Sequence, residues 1–286
     1  MRSLMRRISA APPRRVMLTA AGSLLAVASV AVVVHLTEDT SAPPHRVSTA
    51  EAQRFALARL SRFEASPAGI EITVPLRDRT IGVEGVIDYR SHHAVGRFDG
   101  AGGGLLAWDG WGVGVALDQP SGQPGPQREP SRPARLALSD AAHMPTSDWV
   151  PRRYTSDPLD SMLKLSMLLG RDRPENAQLL AQSGARWTGT AEIGGRTYDV
   201  FAAPRPTAHS GNGQPSAAPR RTGDSPLRFF VSADGELRRV TTQLPGQARP
   251  GVIDFTASRL RHAVPPEPWS QVPGGSAPSS GTPYEN

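Results

Sequence analysis

The residues able to do chemistry are few and scattered. His92 and His93 form the one adjacent histidine pair. Successive residues of a strand point to opposite faces, so these two rings do not readily share a metal. His45, His143, His209 and His262 stand apart, with no H-x-x-x-H spacing to place two imidazoles on one helix face. Glu84, Asp88 and Asp109 are candidates for the paired carboxylates of glycoside hydrolysis, whose partners meet only in three dimensions. Their places along strands and beside a turn read instead as ordinary solvent-facing positions. Gly102-Gly103-Gly104 follows Asp99-Gly100 but opens no helix, so it lacks the amide-lined helix start that cradles phosphate. No G-x-S-x-G, P-loop or dinucleotide fingerprint is present. The absence of cysteine removes disulfides, thiolate metal sites and Cys nucleophiles together. The expectation is a protein with no catalytic residues, no metal and no cofactor, and not an enzyme.

Trp108, Trp111, Trp149, Trp187 and Trp269 could stack on sugars or bases. Trp108 and Trp111 flank Asp109-Gly110, however, and cross-strand packing beside a two-residue turn accounts for that pair. The net charge of +6 does not point to nucleic acid. Arg2, Arg6, Arg7, Arg14 and Arg15 supply five of those charges before the first acid, Glu38, which leaves +1 for the rest. A nearly neutral remainder has no global field to gather phosphates.

Those arginines have another use. Val16 to Leu36, VMLTAAGSLLAVASVAVVVHL, carries no formal charge and is long enough to cross a bilayer core of about 30 Å. The arginine flank stays in the cytoplasm, and Glu38 and Asp39 lie beyond the other end. This predicts a basic stub at 1–15, a single-pass anchor at 16–36 in the cell membrane, and an extracytoplasmic remainder. A cleaved signal peptide is the alternative, with Ser29-Val30-Ala31 as its cleavage region, and the valines beyond that point favour retention.

The remainder alternates between ordered blocks and Pro-rich stretches. Residues 37–47 read as a polar link. Ser48-Thr49-Ala50-Glu51 is a capping box, and Ala52, Phe55, Ala56, Arg59, Leu60 and Phe63 follow at helical spacing. The period then becomes two through Ile70, Ile72, Val74 and Leu76 and again through Ile81, Val83, Ile87 and Tyr89, predicting strands. Further strands are expected at His93–Phe98, Leu105–Trp108 and Trp111–Leu117. Asp157 with Pro158 starts an apolar helix over Leu159 to Leu169, and Pro174 to Gln182 reads as a shorter one. Strands resume at Ala185–Ile193, Thr197–Ala203, Leu227–Ser232, Glu236–Leu244 and Val252–Phe255. Inserts near 119–133 and 204–226 and a tail at 264–286 are Pro-rich and read as disordered. The fold class is therefore α+β, a curved antiparallel sheet with helices on one face, spanning 48–263.

Three stretches carry a family resemblance. They are TAEAQRFALARLSRFE with the strands ending GVIDYR, then DPLDSMLKLSMLLGRDRPENAQLLAQSGARWTGTAEIGGRTYDVF, then LRFFVSADGELRRVTTQL. In this order they resemble actinobacterial envelope proteins related to the LppX/LprG lipoproteins and, more remotely, the LolA/LolB carriers. The resemblance covers roughly residues 48 to 260. It implies a half-barrel sheet whose concave face holds the helices and encloses a lipid or acyl chain. This chain departs from the pattern in lacking a lipobox Cys and in carrying the two inserts. With the pocket as a region, the apolar residues expected to line it are Ile72, Val74, Val83, Ile87, Met162, Leu165, Leu169 and Phe229. Periodicity alone does not separate a greasy pocket from a filled core. The other reading is an envelope sensor or protein-interaction module with no bound ligand, acting through an envelope protein partner.

Overall fold

Helix α1 (Thr49–Glu64) forms where the capping box places it. The Glu51 backbone N donates to Ser48 Oγ at 3.3 Å, and Ser48 N donates to Glu51 Oε2 at 2.7 Å. A computed structural model describes residues 42–99, 103–118, 133–204 and 225–259. The stub 1–15, the anchor 16–36 and the tail 264–286 lie outside the described residues, as do nearly all of the inserts at 119–133 and 204–226. His209, His262 and Trp269 also lie outside them. Among the described residues no helix is long and apolar enough to cross a membrane.

The strands are β1 (His45–Arg46), β2 (Ala68–Pro75), β3 (Thr80–Asp88), β4 (His93–Phe98), β5 (Gly104–Trp108) and β6 (Gly112–Leu117), then β7 (Val150–Arg153), β8 (Arg186–Ile193), β9 (Arg196–Ala202), β10 (Leu227–Val231), β11 (Leu237–Thr242) and β12 (Gly251–Arg259). They make one unclosed antiparallel sheet of twelve strands, ordered β1-β8-β9-β10-β11-β12-β2-β3-β4-β5-β6-β7. Two meanders, β2 to β7 and β8 to β12, are joined by the β12–β2 pairing. The remaining helices are α2 (Pro133–His143), α3 (Pro158–Met167) and α4 (Ala177–Gln182).

Register explains the core. Trp187, Phe201, Phe229, Val240, Ile253, Ile72, Val83 and Phe98 sit opposite one another on successive strands from β8 to β4. This apolar row runs laterally across the sheet, and all but the partly buried Phe98 are buried in one cluster with Phe55 of α1 and Met162 of α3. Burying each such large side chain contributes roughly 1.5–3 kcal/mol. Because side chains alternate, a one-residue slip at any pairing would send the part of the row beyond it to the other face.

The structure corrects several expectations. The first is that helices occupy one face only. Helix α2 begins at Pro133, inside the stretch read as loop, and Ala137, Leu138 and Ala141 pack with Val86, Val95, Leu105, Ala107 and Ala116, the opposite alternation of β3 to β6. That region of the sheet is covered on both sides, as the fully buried pattern of β5 requires. Secondly, His45–Arg46, within the segment read as a link, pairs with Trp187 and Arg186 of β8. The β5–β6 turn is also displaced by one residue. Asp109 N donates to Gly112 O, and Asp109 Oδ1 accepts from the backbone N of both Trp111 and Gly112. Trp111 therefore occupies the turn itself, 76% exposed, while Trp108 is fully buried, and the two do not pack across strands.

Candidate functional site

Helix α1 lies on the β10–β11 side of the sheet and is tied by three arginines to three different elements. Arg54 reaches Asp199 on β9 at 2.8 Å, Arg59 reaches Glu175 before α4 at 2.9 Å, and Arg62 reaches Glu236 before β11 at 2.9 Å. The Arg62 guanidinium also stands 5.0 Å over the Phe255 ring. Helix α4 is short, capped by Asn176, and docks on α1, with Glu175 N donating to Ala56 O at 3.0 Å.

Helix α3 is pinned by buried polar groups near both ends. Asp160 is completely buried in its first turn. It accepts from Arg152 Nη1 at 2.6 Å and Nη2 at 2.8 Å, and from the Thr155 backbone N and Oγ1, each at 2.8 Å. Burial by itself would raise this carboxyl, but the bonds from Arg152 and Thr155 outweigh it and hold the pKa below the ordinary value. Near the other end Ser166 Oγ accepts from Trp108 Nε1 at 3.0 Å, and Ser166 O accepts from the Tyr89 hydroxyl at 2.9 Å. Burial drives the Tyr89 hydroxyl pKa strongly upward, so it stays a proton donor. Gly170 follows because a Cβ there would sit 2.2 Å from Tyr89 Cγ.

Between α1, the C-terminal end of α3, α4 and the β9–β10 ends lies an open cleft of about 410 Å³. Phe55, Leu165, Leu168, Leu169, Leu180, Ala203, Leu227 and Phe229 line it, together with Pro204 and the Arg59–Glu175 pair. The lining is thus apolar with one ion pair. The structure brings three of the residues chosen from sequence, Leu165, Leu169 and Phe229, to this cleft. Ile72, Val74, Val83, Ile87 and Met162 are fully buried in the packed core and do not line it. Gly251 shows how tight that part is: a Cβ there would meet Met162 Sδ at 2.7 Å.

Trp108 on β5 and Tyr89 just after β3 are fully buried in the packed core and do not line the cleft. Sequence reading missed Phe55, Arg59, Glu175 and Leu180 as wall residues. One signal was legible: Arg59 falls within the apolar stripe of α1, where a charge needs a partner.

No family model and no curated protein matches this chain.

The candidate chemical residues take separate local roles. His92 adopts φ 56° in the β3–β4 turn, and His93 opens β4. Asp88 accepts from Ser66 Oγ at 2.7 Å and Arg90 N at 3.0 Å, holding that turn, while Asp109 organises the next one. Glu84 stands opposite Glu71 on β2 and Arg97 on β4. Burial, with Glu71 and Asp99 nearby, raises its pKa. Among the described residues no group of three His, Asp or Glu side chains could hold a metal ion.

His45 closes the β1 junction. Its ring lies 4.9 Å from the Trp187 ring; Nδ1 is 3.1 Å from Pro43 O, and Nε2 is 3.1 Å from Glu51 Oε1. Two acceptors favour the doubly protonated ring, and the Pro43 carbonyl, then Glu51, raise its pKa against burial and Arg186. A raised folded pKa means this contact stabilises below the unfolded value and fades as pH rises through the folded one. Trp187 fluorescence is expected to titrate with a midpoint above the ordinary histidine value in the native protein, and His45→Gln is expected to abolish the transition. An unchanged titration in that variant would assign it elsewhere.

Proposed function

We propose that this protein is a membrane-anchored extracytoplasmic domain that binds one lipid-like or otherwise hydrophobic ligand, in the manner of the LppX/LprG and LolA/LolB proteins it resembles, and that it acts as a binding protein and not an enzyme. The observation carrying this reading is the cleft. Its volume of about 410 Å³ lies at the small end of ligand pockets, roughly 300–1,000 Å³. Its walls are mostly leucine and phenylalanine, which reward an apolar chain and leave most of a polar ligand without partners. The Arg59–Glu175 pair gives the polar end of an amphiphile one place to bond. Space of this size suits a single chain better than a many-chained lipid. A sheet unclosed between β7 and β1, with α1, α3 and α4 against one face, supports a half-barrel wall around those helices. The apolar segment 16–36 supports single-pass attachment with the N-terminus cytoplasmic.

The test is to produce residues 37–286 in their native compartment, extract with organic solvent and weigh the lipids by mass spectrometry. A stoichiometric ligand is expected from the wild type, with at least about tenfold less from Leu165→Trp and Ala203→Phe, since each buries a large ring in a small cleft and about 1.4 kcal/mol of lost affinity suffices for that. Both residues are only partly buried, so the variants are expected to fold. Ligand-free wild-type protein with an unchanged melting temperature in both variants would end this reading and favour the interaction module.

A further inference from the structure

We infer that the rim of the cleft is a membrane-docking surface, and that its partner is the anionic face of the same bilayer that holds the anchor. The inference rests on the tethered reading above. Leu168 and Leu179 are 56% and 63% exposed, although each lines a depression in the surface. The depression holding Leu179 also contains Arg171 and Arg173, and it shares Glu175 and Leu180 with the cleft, so the two adjoin. Arg171 and Arg173 are exposed, and so is Lys164, one helical turn before Leu168. Asp172 offsets one of these charges, and Glu175 is taken up by Arg59.

Exposed leucines among cations match the surface of an anionic bilayer. The apolar side chains enter the headgroup boundary, and each cation near the surface adds to the attraction. Residues 37–44, fully extended, span at most roughly 29 Å. Under the tethered reading, so short a link keeps the start of the domain near the bilayer. Docking would open the cleft onto lipid, and an apolar ligand would then enter without crossing water.

The chain has no cysteine, so single labels are clean. The full chain carrying Leu168→Cys or Leu179→Cys is labelled with an environment-sensitive dye and placed in nanodiscs of phosphatidylcholine with or without phosphatidylglycerol. Brominated lipids serve as quenchers, and Trp111→Cys, at an exposed turn outside the rim, serves as reference. Quenching at both leucine positions and not at Trp111 is expected in anionic discs. Adding Arg171→Gln and Arg173→Gln is expected to lower the docked-to-free ratio roughly 30-fold, from two lost headgroup attractions. Equal quenching at all three positions, or none at the leucines, overturns the proposal. So does a dehydrated label that ignores brominated lipid and follows protein density, which would mean contact between two copies. Lipid extraction from the same discs keeps the readings apart: quenching retained with an empty cleft leaves the docking surface standing and removes the ligand.

Discussion

Replacing Trp108 by Ala costs about 4 kcal/mol, the middle of the range for emptying a buried tryptophan site. Trp108 is fully buried on β5, opposite Ala94 and Val113, and its Nε1 donates to Ser166 of α3. The loss is a large cavity plus a polar contact, and neighbours on a paired strand relax little into such a space. Chemical denaturation measures it as a fall in midpoint with unchanged slope. Trp108→Phe keeps most of the volume and removes the N–H, so its cost is expected nearer 1 kcal/mol, the usual net value of a hydrogen bond. Similar losses in the two variants would show that the hydrogen bond, and not the volume, governs this site. The same change reaches the cleft. Ser166 lies between Leu165 and Leu169, so loosening that turn is expected to weaken ligand retention even where Trp108→Phe still folds.

Asp160→Asn is the second large effect, at about 3 kcal/mol. Removing one partner of a buried ion pair costs roughly 3–5 kcal/mol. The low end applies because the Arg152 side chain remains 40% exposed and water screens the pair. The pH dependence separates charge from packing. A depressed folded pKa means the contribution of Asp160 is present above the unfolded carboxyl value, about 4, and is lost as pH falls through the folded one. The difference between wild type and Asp160→Asn should therefore be full at neutral pH and shrink in acid. A difference that stays constant down to pH 2 would assign the loss to packing alone. Arg152→Gln leaves a fully buried carboxylate with only its two Thr155 donors and no counter-ion, so it is expected to cost at least as much as Asp160→Asn.

Much of the fold was legible from local chemistry. Ser48 and Glu51 announced α1, Asp157 with Pro158 announced α3, and the period-two runs at Ile70–Leu76 and Ile81–Tyr89 became β2 and β3. Each signal is read over a few residues and is satisfied within its own element. The order of the sheet is another matter. That β12 returns to pair with β2, and β1 with β8, depends on contacts between residues far apart in sequence, which no local period encodes. Helix α2 escaped notice beside a Pro-rich stretch, although Val86, Val95, Leu105 and Ala107 on the second alternation already required a cover.

The cleft divides along the same line. Sequence by itself determined which residues are apolar, which faces of β2 and β3 are buried, and that a 21-residue uncharged segment with an arginine flank precedes them. It named Leu165, Leu169 and Phe229 for the same reason that it named Ile72 and Val83: all are large, apolar and on an inward phase. Tertiary structure alone decided which of them face space. Ile72 and Val83 meet fully paired neighbours on both sides, whereas Leu165 and Phe229 lie where α1, α4 and the β9–β10 ends stop short of closing over them. Hydrophobicity is a property of one side chain, and a cavity is a property of the volume that several elements fail to fill together.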